Sequence, residues 1–297
     1  MYSRIGEIAA LVTAVCWTFN AIVFEFAGKR VGSMSVSYIR LYFAFICLTV
    51  ASFFSRGIVL PIDATAHSWF YLLISGLFGF VLGDMFLFQA FVEIGSRISL
   101  LIMSAAPPLT ALISFFVMGE RISFIGLLGM FLTMVGICIV ILSRNPDGNK
   151  MEFNRPLRGI IYASIGALGQ ALGLIFSKIG MGSYNIFAAT QIRLVAAFIA
   201  YTIIITMQKK WPEIREAFHN KRAIGEIAVG GILGPFIGVV FSLVALKYTA
   251  TGIVSSITSV SPVIIIPASI IIFKEEVLPK EIIGAFVSIA GVVLLFL

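Results

Sequence analysis

Residues 83–120 read GDMFLFQAFVEIGSRISLLIMSAAPPLTALISFFVMGE, and residues 238–275 read GVVFSLVALKYTATGIVSSITSVSPVIIIPASIIIFKE. The two stretches align without a gap at a spacing of 155 residues. Ala90 meets Ala245, Pro107 meets Pro262 and Glu120 meets Glu275, while Gly76, Gly79 and Gly83 upstream meet Gly231, Gly234 and Gly238. Gly129 and Gly136 fall on Gly284 and Gly291. Towards the N-terminus the spacing becomes 153, placing Ile39-Arg40-Leu41 on Ile192-Arg193-Leu194 and Gly6 on Gly159. One unit of about half the chain is therefore used twice, and such repeats govern any reading of the fold.

The medium follows from composition. With 60% apolar and 12% charged residues and a mean hydropathy of +1.06, the chain lies far from the quarter of charged residues usual in soluble domains. Ten apolar runs stand out, at 5–26, 34–54, 68–91, 98–118, 124–142, 157–176, 185–207, 224–246, 252–273 and 281–297. Each is about the length that crosses a bilayer core as a helix, and lipid offers the backbone no other partner. The first run is too long for a cleaved leader and is expected to be retained. The predicted fold is thus an all-α integral membrane protein of ten spans. Residues 1–143 form the first five-span repeat, 144–156 the polar linker (with Asn145, Pro146, Asp147 and Gly148) and 157–297 the second. Five is odd, so the second repeat enters the membrane inverted, an organisation associated with secondary transporters.

Fourteen Lys and Arg lie beside the connectors after spans one, three, five, seven and nine. Only Arg4, Arg56, Arg121, Lys178 and Lys247 belong to the N-terminus and the alternate connectors. The positive-inside rule then puts both termini outside. Short loops without an N-x-S/T sequon suit a bacterial inner membrane. The net charge of +7 is spread over many connectors and gives no nucleic-acid surface. Between 209 and 222, Trp211, Ile214 and Phe218 recur at helical spacing among basic residues. That segment reads either as a short helix on an anionic leaflet or as a solvated loop.

Ten spans in two halves, each with a Pro-containing helix, a Gly-Glu or Lys-Glu boundary and a Gly-rich last helix, resemble the drug/metabolite transporter superfamily, EamA type. Trp17 to Asn20, the Arg40/Arg193 pair, Ala90/Ala245, Pro107/Pro262 and Glu120/Glu275 carry the resemblance, which covers essentially the whole chain. It implies a basket of spans one to four and six to nine around a central cavity, with spans five and ten outside. It also implies movement of small organic solutes such as amino acids and related metabolites. Two positions break the symmetry: Glu25 stands opposite Lys178, and Trp17 opposite Gln170.

Asp84 is the sharpest candidate, because a carboxylate at bilayer depth is costly unless paired, neutralised or hydrated. It either lines the cavity and takes a coupling proton or a substrate ammonium, or is a structural acid bonded to a neighbouring Ser or Thr. Its counterpart is Val239. The candidate substrate-binding set is Trp17, Asn20, Asp84, Phe88, Ser104, Gln170, Thr258 and Ser261, with Pro107, Pro108 and Pro262 as hinges, since proline opens a helix locally. Trp17 can stack on a substrate or simply pack, and the polar members can act as interhelical bonds. Arg40 and Arg193 are expected near opposite faces as interfacial anchors or caps, the alternative being a clamp on a substrate carboxylate. Glu120 and Glu275 read as structural, and Glu93 and Arg97 as a weak pair across one turn. The three cysteines, inside spans and unevenly spaced, and His67 and His219, in connectors, offer no catalytic or metal constellation. No phosphate-binding G-x-x-x-x-G-K-[ST] loop occurs. An enzyme and an ATP-driven pump are therefore excluded, and no cofactor or metal is expected. The expected partners are a small organic solute and the lipid bilayer, and one chain with its own cavity is expected to work as a monomer.

Overall fold

A computed structural model describes residues 3–119, 123–141, 156–248, 257–274 and 277–295. Glu120, Glu275 and nearly all of the linker lie outside the described residues. Every regular element within them is helical. In chain order these are α1 (Ser3–Val31), α2 (Ser33–Arg56), α3 (Ala66–Gly76), α4 (Asp84–Met103), α5 (Ala106–Met118), α6 (Phe124–Ile141), α7 (Leu157–Met181), α8 (Ile186–Met207), α9 (Trp211–His219), α10 (Lys221–Gly231), α11 (Val239–Tyr248), α12 (Ser261–Ala268) and α13 (Pro279–Leu295). Among the described residues, six helical stretches are long and apolar enough to cross a membrane, and Ala106–Val117, Phe124–Val140 and Ser261–Ile272 are shorter apolar helices. Large side chains such as Phe54, Phe116, Phe124, Phe131 and Ile271 are exposed. So many apolar groups facing outward suit a lipid surround rather than water.

The repeat is visible in the backbone. α3 runs into α4 through a widened π-helical turn, Leu77–Gly83, and α10 runs into α11 through another, Ile232–Gly238. The two turns are 155 residues apart. α4 is broken at Gly95, whose φ of 80° and ψ of 158° suit glycine alone. The chain leaves the helix again at Ser104 and Ala105, and α5 restarts with Pro107 and Pro108 in its first turn, where a missing N–H costs nothing. Val260 and Pro262 repeat this arrangement at the start of α12. The prolines therefore start new helices, and the break lies just before them.

The halves interlock. α7 packs on α3 and α4, while α1 packs on α10 and α11. Glycine makes the first crossing possible: a Cβ on Gly169 would stand 2.6 Å from the Gly83 nitrogen, and one on Gly173 2.7 Å from the Gly79 Cα. At the second crossing Trp17 abuts Gly238 and Asn20 abuts Gly234. Trp17 and Gln170 thus occupy matching places on opposite π-turns. α6 and α13, which join the bundle through the core that Ile137, Val140 and Ala285 share with α4, pack tightly on each other. There Gly136 meets the Ser288 backbone, Gly291 meets that of Thr133, and the Thr133 hydroxyl donates to the Gly129 carbonyl at 2.9 Å.

The 211–219 segment is a helix, but its apolar face turns into the protein. Ile214 and Ala217 are buried, and Trp211 meets Tyr38 edge-on with ring centroids 5.7 Å apart. α9 therefore caps the end of α1, α2 and α10. Phe218 stays exposed.

Candidate functional site

The wide turn Leu77–Gly83 ends on Asp84, whose side chain points into the interior and is 6% exposed. Arg40 of α2 donates from Nη2 to Asp84 Oδ2 at 2.5 Å. Gln170 of α7 donates from Nε2 to Asp84 Oδ1, also at 2.5 Å. The acid is therefore held at once by a helix from each half. The Arg40 guanidinium lies over the rings of Phe88, 4.8 Å from its centroid, and Phe80, at 5.6 Å. Arg193 of α8 stands over the same Phe80 ring at 4.6 Å. The buried Tyr201 hydroxyl donates to the Phe80 carbonyl at 3.0 Å and fixes the backbone that carries this ring.

This corrects the expectation for the arginines. Arg40 is 2% exposed, and both guanidiniums converge on one ring instead of anchoring opposite faces. Their places at the start of each span suggested interfaces, but the partner acid comes from a different helix. Arg40 and Arg193 each keep a buried Nε–H without an acceptor. Two cations, one anion and unspent donors make a centre biased towards binding a further anion, because buried donors without partners are costly.

The structure brings Asp84, Phe88 and Gln170 of the candidate set together. Trp17 and Asn20 lie instead at the other π-turn, with Trp17 36% exposed and Asn20 Oδ1 buried without a partner. Ser104 and Ser261 sit at the two helix breaks. The Ser261 hydroxyl donates to the Thr258 carbonyl at 2.9 Å and lies 3.2 Å from that of Ala14, whereas Ser104 Oγ is buried without a partner. A cavity of about 530 Å³ opens between the 57–65 connector and the 182–185 turn. Asp84 is not part of its wall.

The partners of three acids were not legible in the sequence. Arg97 donates to Glu281 of α13 at 2.5 Å, with both side chains buried, so its partner lies far along the chain. Glu93 instead accepts from Gln89 at 2.9 Å. Glu25, 1% exposed, accepts from Lys29 and from the Ser96 backbone N–H at 2.6 Å. Its carboxylate thereby caps the helix that restarts after Gly95, where the helix dipole favours negative charge. The only prior signal was that each is an ionisable group in or beside an apolar run.

A profile of the EamA-like transporter family matches this chain twice, over residues 4–142 and 157–297. The chain belongs to the EamA-like transporter family. An uncharacterized transporter of Archaeoglobus fulgidus is 25% identical over 293 residues, 98% of this chain and 97% of that protein. A crystal structure with a TM-score of 0.65 covers 99% of this chain and 95% of its own at 16% identity, a likeness of fold. This EamA-like protein is accordingly a membrane transporter of small solutes and not an enzyme.

Proposed function

We propose that this EamA-like protein is a secondary transporter that moves small carboxylate-bearing organic solutes, amino acids or related metabolites, by alternating access. The observation that carries this reading is the shared centre, in which Asp84 is held by Arg40 from one half and Gln170 from the other. The ten spans are two inverted repeats, 1–143 and 157–297 joined by 144–156, embedded in the cytoplasmic membrane with the N-terminus outside. The protein works as a monomer, and net flux is export. A substrate carboxylate competes with Asp84 for Arg40 and for the unpaired Nε–H of Arg193. When Asp84 takes a proton it releases Arg40 to the substrate, which links proton movement to solute movement. Pro107, Pro108 and Pro262 mark the breaks about which the halves rock, since rigid-body motion of one repeat against the other is how such architectures expose a midplane site.

Uptake of a labelled amino-acid panel into proteoliposomes, with and without a pH gradient, tests this for the wild type and Asp84→Asn. Saturable uptake that responds to the gradient only in the wild type supports the reading. Equal uptake and equal pH response in both keeps the transporter and demotes Asp84 to structure, whereas saturable uptake with no pH response in either leaves a facilitative carrier. A protein that moves organic cations but no amino acid overturns the substrate class.

A further inference from the structure

The 530 Å³ cavity at the end of the bundle is within the size range of small-molecule sites, and it lies apart from Asp84. Its wall joins the two halves. Arg56, at the end of α2, donates to Asp63 in the following connector and, at 3.1 Å, to the hydroxyl of Tyr184 in the turn after α7. That hydroxyl donates in turn to Asp63 Oδ1 at 2.7 Å. Arg56 has a side chain only 11% exposed and a buried Nε–H without an acceptor. Two helices also begin at this cavity, α3 with Thr65 as its cap and α8 with Asn185 as its cap. The caps already accept the first amides of their helices, Thr65 from Ser68 and Asn185 from Phe187 and Ala188, so what these helix starts add beside Arg56 is the positive end of two dipoles, which favours a carboxylate on that side of the cavity. Asp63, 44% exposed, gives the same cavity a negative group. The Tyr184 hydroxyl and Arg56 hold its carboxyl below the ordinary range, so it stays ionised.

We propose that this cavity is a second binding site, separate from the transport centre, for a small zwitterion of the amino-acid class. The carboxylate sits towards Arg56 and the starts of α3 and α8, and the ammonium sits on Asp63. The ligand class is that of the transport reading, on which this inference rests; the place is not. Because the wall is built from both halves, occupancy couples to their relative position.

Ser183 lines the cavity and is exposed, so Ser183→Cys supplies a reporter for a membrane-impermeant maleimide on the full chain, with the parent protein as background. Alanine and leucine are the probes, with alaninamide lacking the carboxylate and propionate lacking the ammonium. With alanine or leucine at about ten times its Kd, labelling slows about tenfold, as simple occupancy requires. Alaninamide gives no protection. Protection persists when Asp84→Asn disables the centre, and Arg56→Gln removes it. Asp63→Asn, which keeps Arg56, lets propionate protect as well as alanine. Labelling unchanged by any amino acid, protection that survives Arg56→Gln, or protection lost in Asp84→Asn overturns the site. Protection without transport sinks the transport reading alone, and transport without protection sinks this site alone.

Discussion

Asp84→Asn removes one negative charge and changes little else in shape. Arg40, 2% exposed, then keeps its charge with no anion beside it, while the substituted amide and Gln170 can still bond. Breaking a buried pair by removing one partner costs about 3–5 kcal/mol in soluble proteins. Interhelical polar contacts inside membranes average nearer 0.6 kcal/mol, with a maximum of about 1.7 kcal/mol. The first figure governs here, because the lost contact leaves a full charge stranded between Phe80 and Phe88 and not a neutral group. The expected destabilisation is about 3 kcal/mol, read as a fall of roughly 6–12 °C in the unfolding midpoint of purified protein in detergent. Asp84→Leu combined with Arg40→Met removes both charges at similar volume and restores most of that loss, as paired replacement does elsewhere. Equal midpoints for wild type and Asp84→Asn would refute the reasoning, since they would mean that water or another group already compensates Arg40. A double variant less stable than Asp84→Asn would refute it as well.

Gly169→Val drives a side chain onto the Gly83 backbone and is expected to abolish folded protein in size-exclusion chromatography. Gly225→Ala, with nothing within 4 Å of the new methyl, should be neutral or stabilising by up to about 1 kcal/mol in the same unfolding assay. Arg97→Met removes the buried cation that donates to Glu281 and should cost up to about 3 kcal/mol, read as a lower unfolding midpoint. Asp63 titrates below its unfolded value, so its contribution to stability is present above the ordinary carboxylate pKa and is lost as pH falls through the lower folded value. Tyr184→Phe removes the largest cause of that depression, so the part of the acid-side fall in the unfolding midpoint that Asp63 supplies should shrink.

Much of the architecture is written in the chain itself. A run of twenty apolar residues can only be a helix in lipid, and a spacing of 155 residues between Gly76, Gly79, Gly83, Pro107 and their counterparts requires the same bends twice. The breaks just before Pro107 and Pro262 follow from the amides those prolines lack, which cannot bond back to the preceding turn. Tertiary structure decided the pairing. Arg40 finds Asp84 44 residues away, Gln170 finds it across 86, Glu25 reaches Ser96 across 71, and Arg97 reaches Glu281 across 184. No local pattern encodes these contacts, because an apolar span has lipid-facing and core-facing sides of similar composition and the period that marks an inward face in soluble helices is faint. Which side of α2 turns inward is fixed by its packing on α8, α1, α4 and α10, while α7 crosses the Leu77–Gly83 turn at Gly79 and Gly83. The α7 crossing delivers Gln170 to Asp84, and the packing of α2 makes an apparent interfacial arginine part of the centre. α9 follows the same logic: its apolar stripe was legible, but only the packed bundle brings Tyr38 and the ends of α1, α2 and α10 to it.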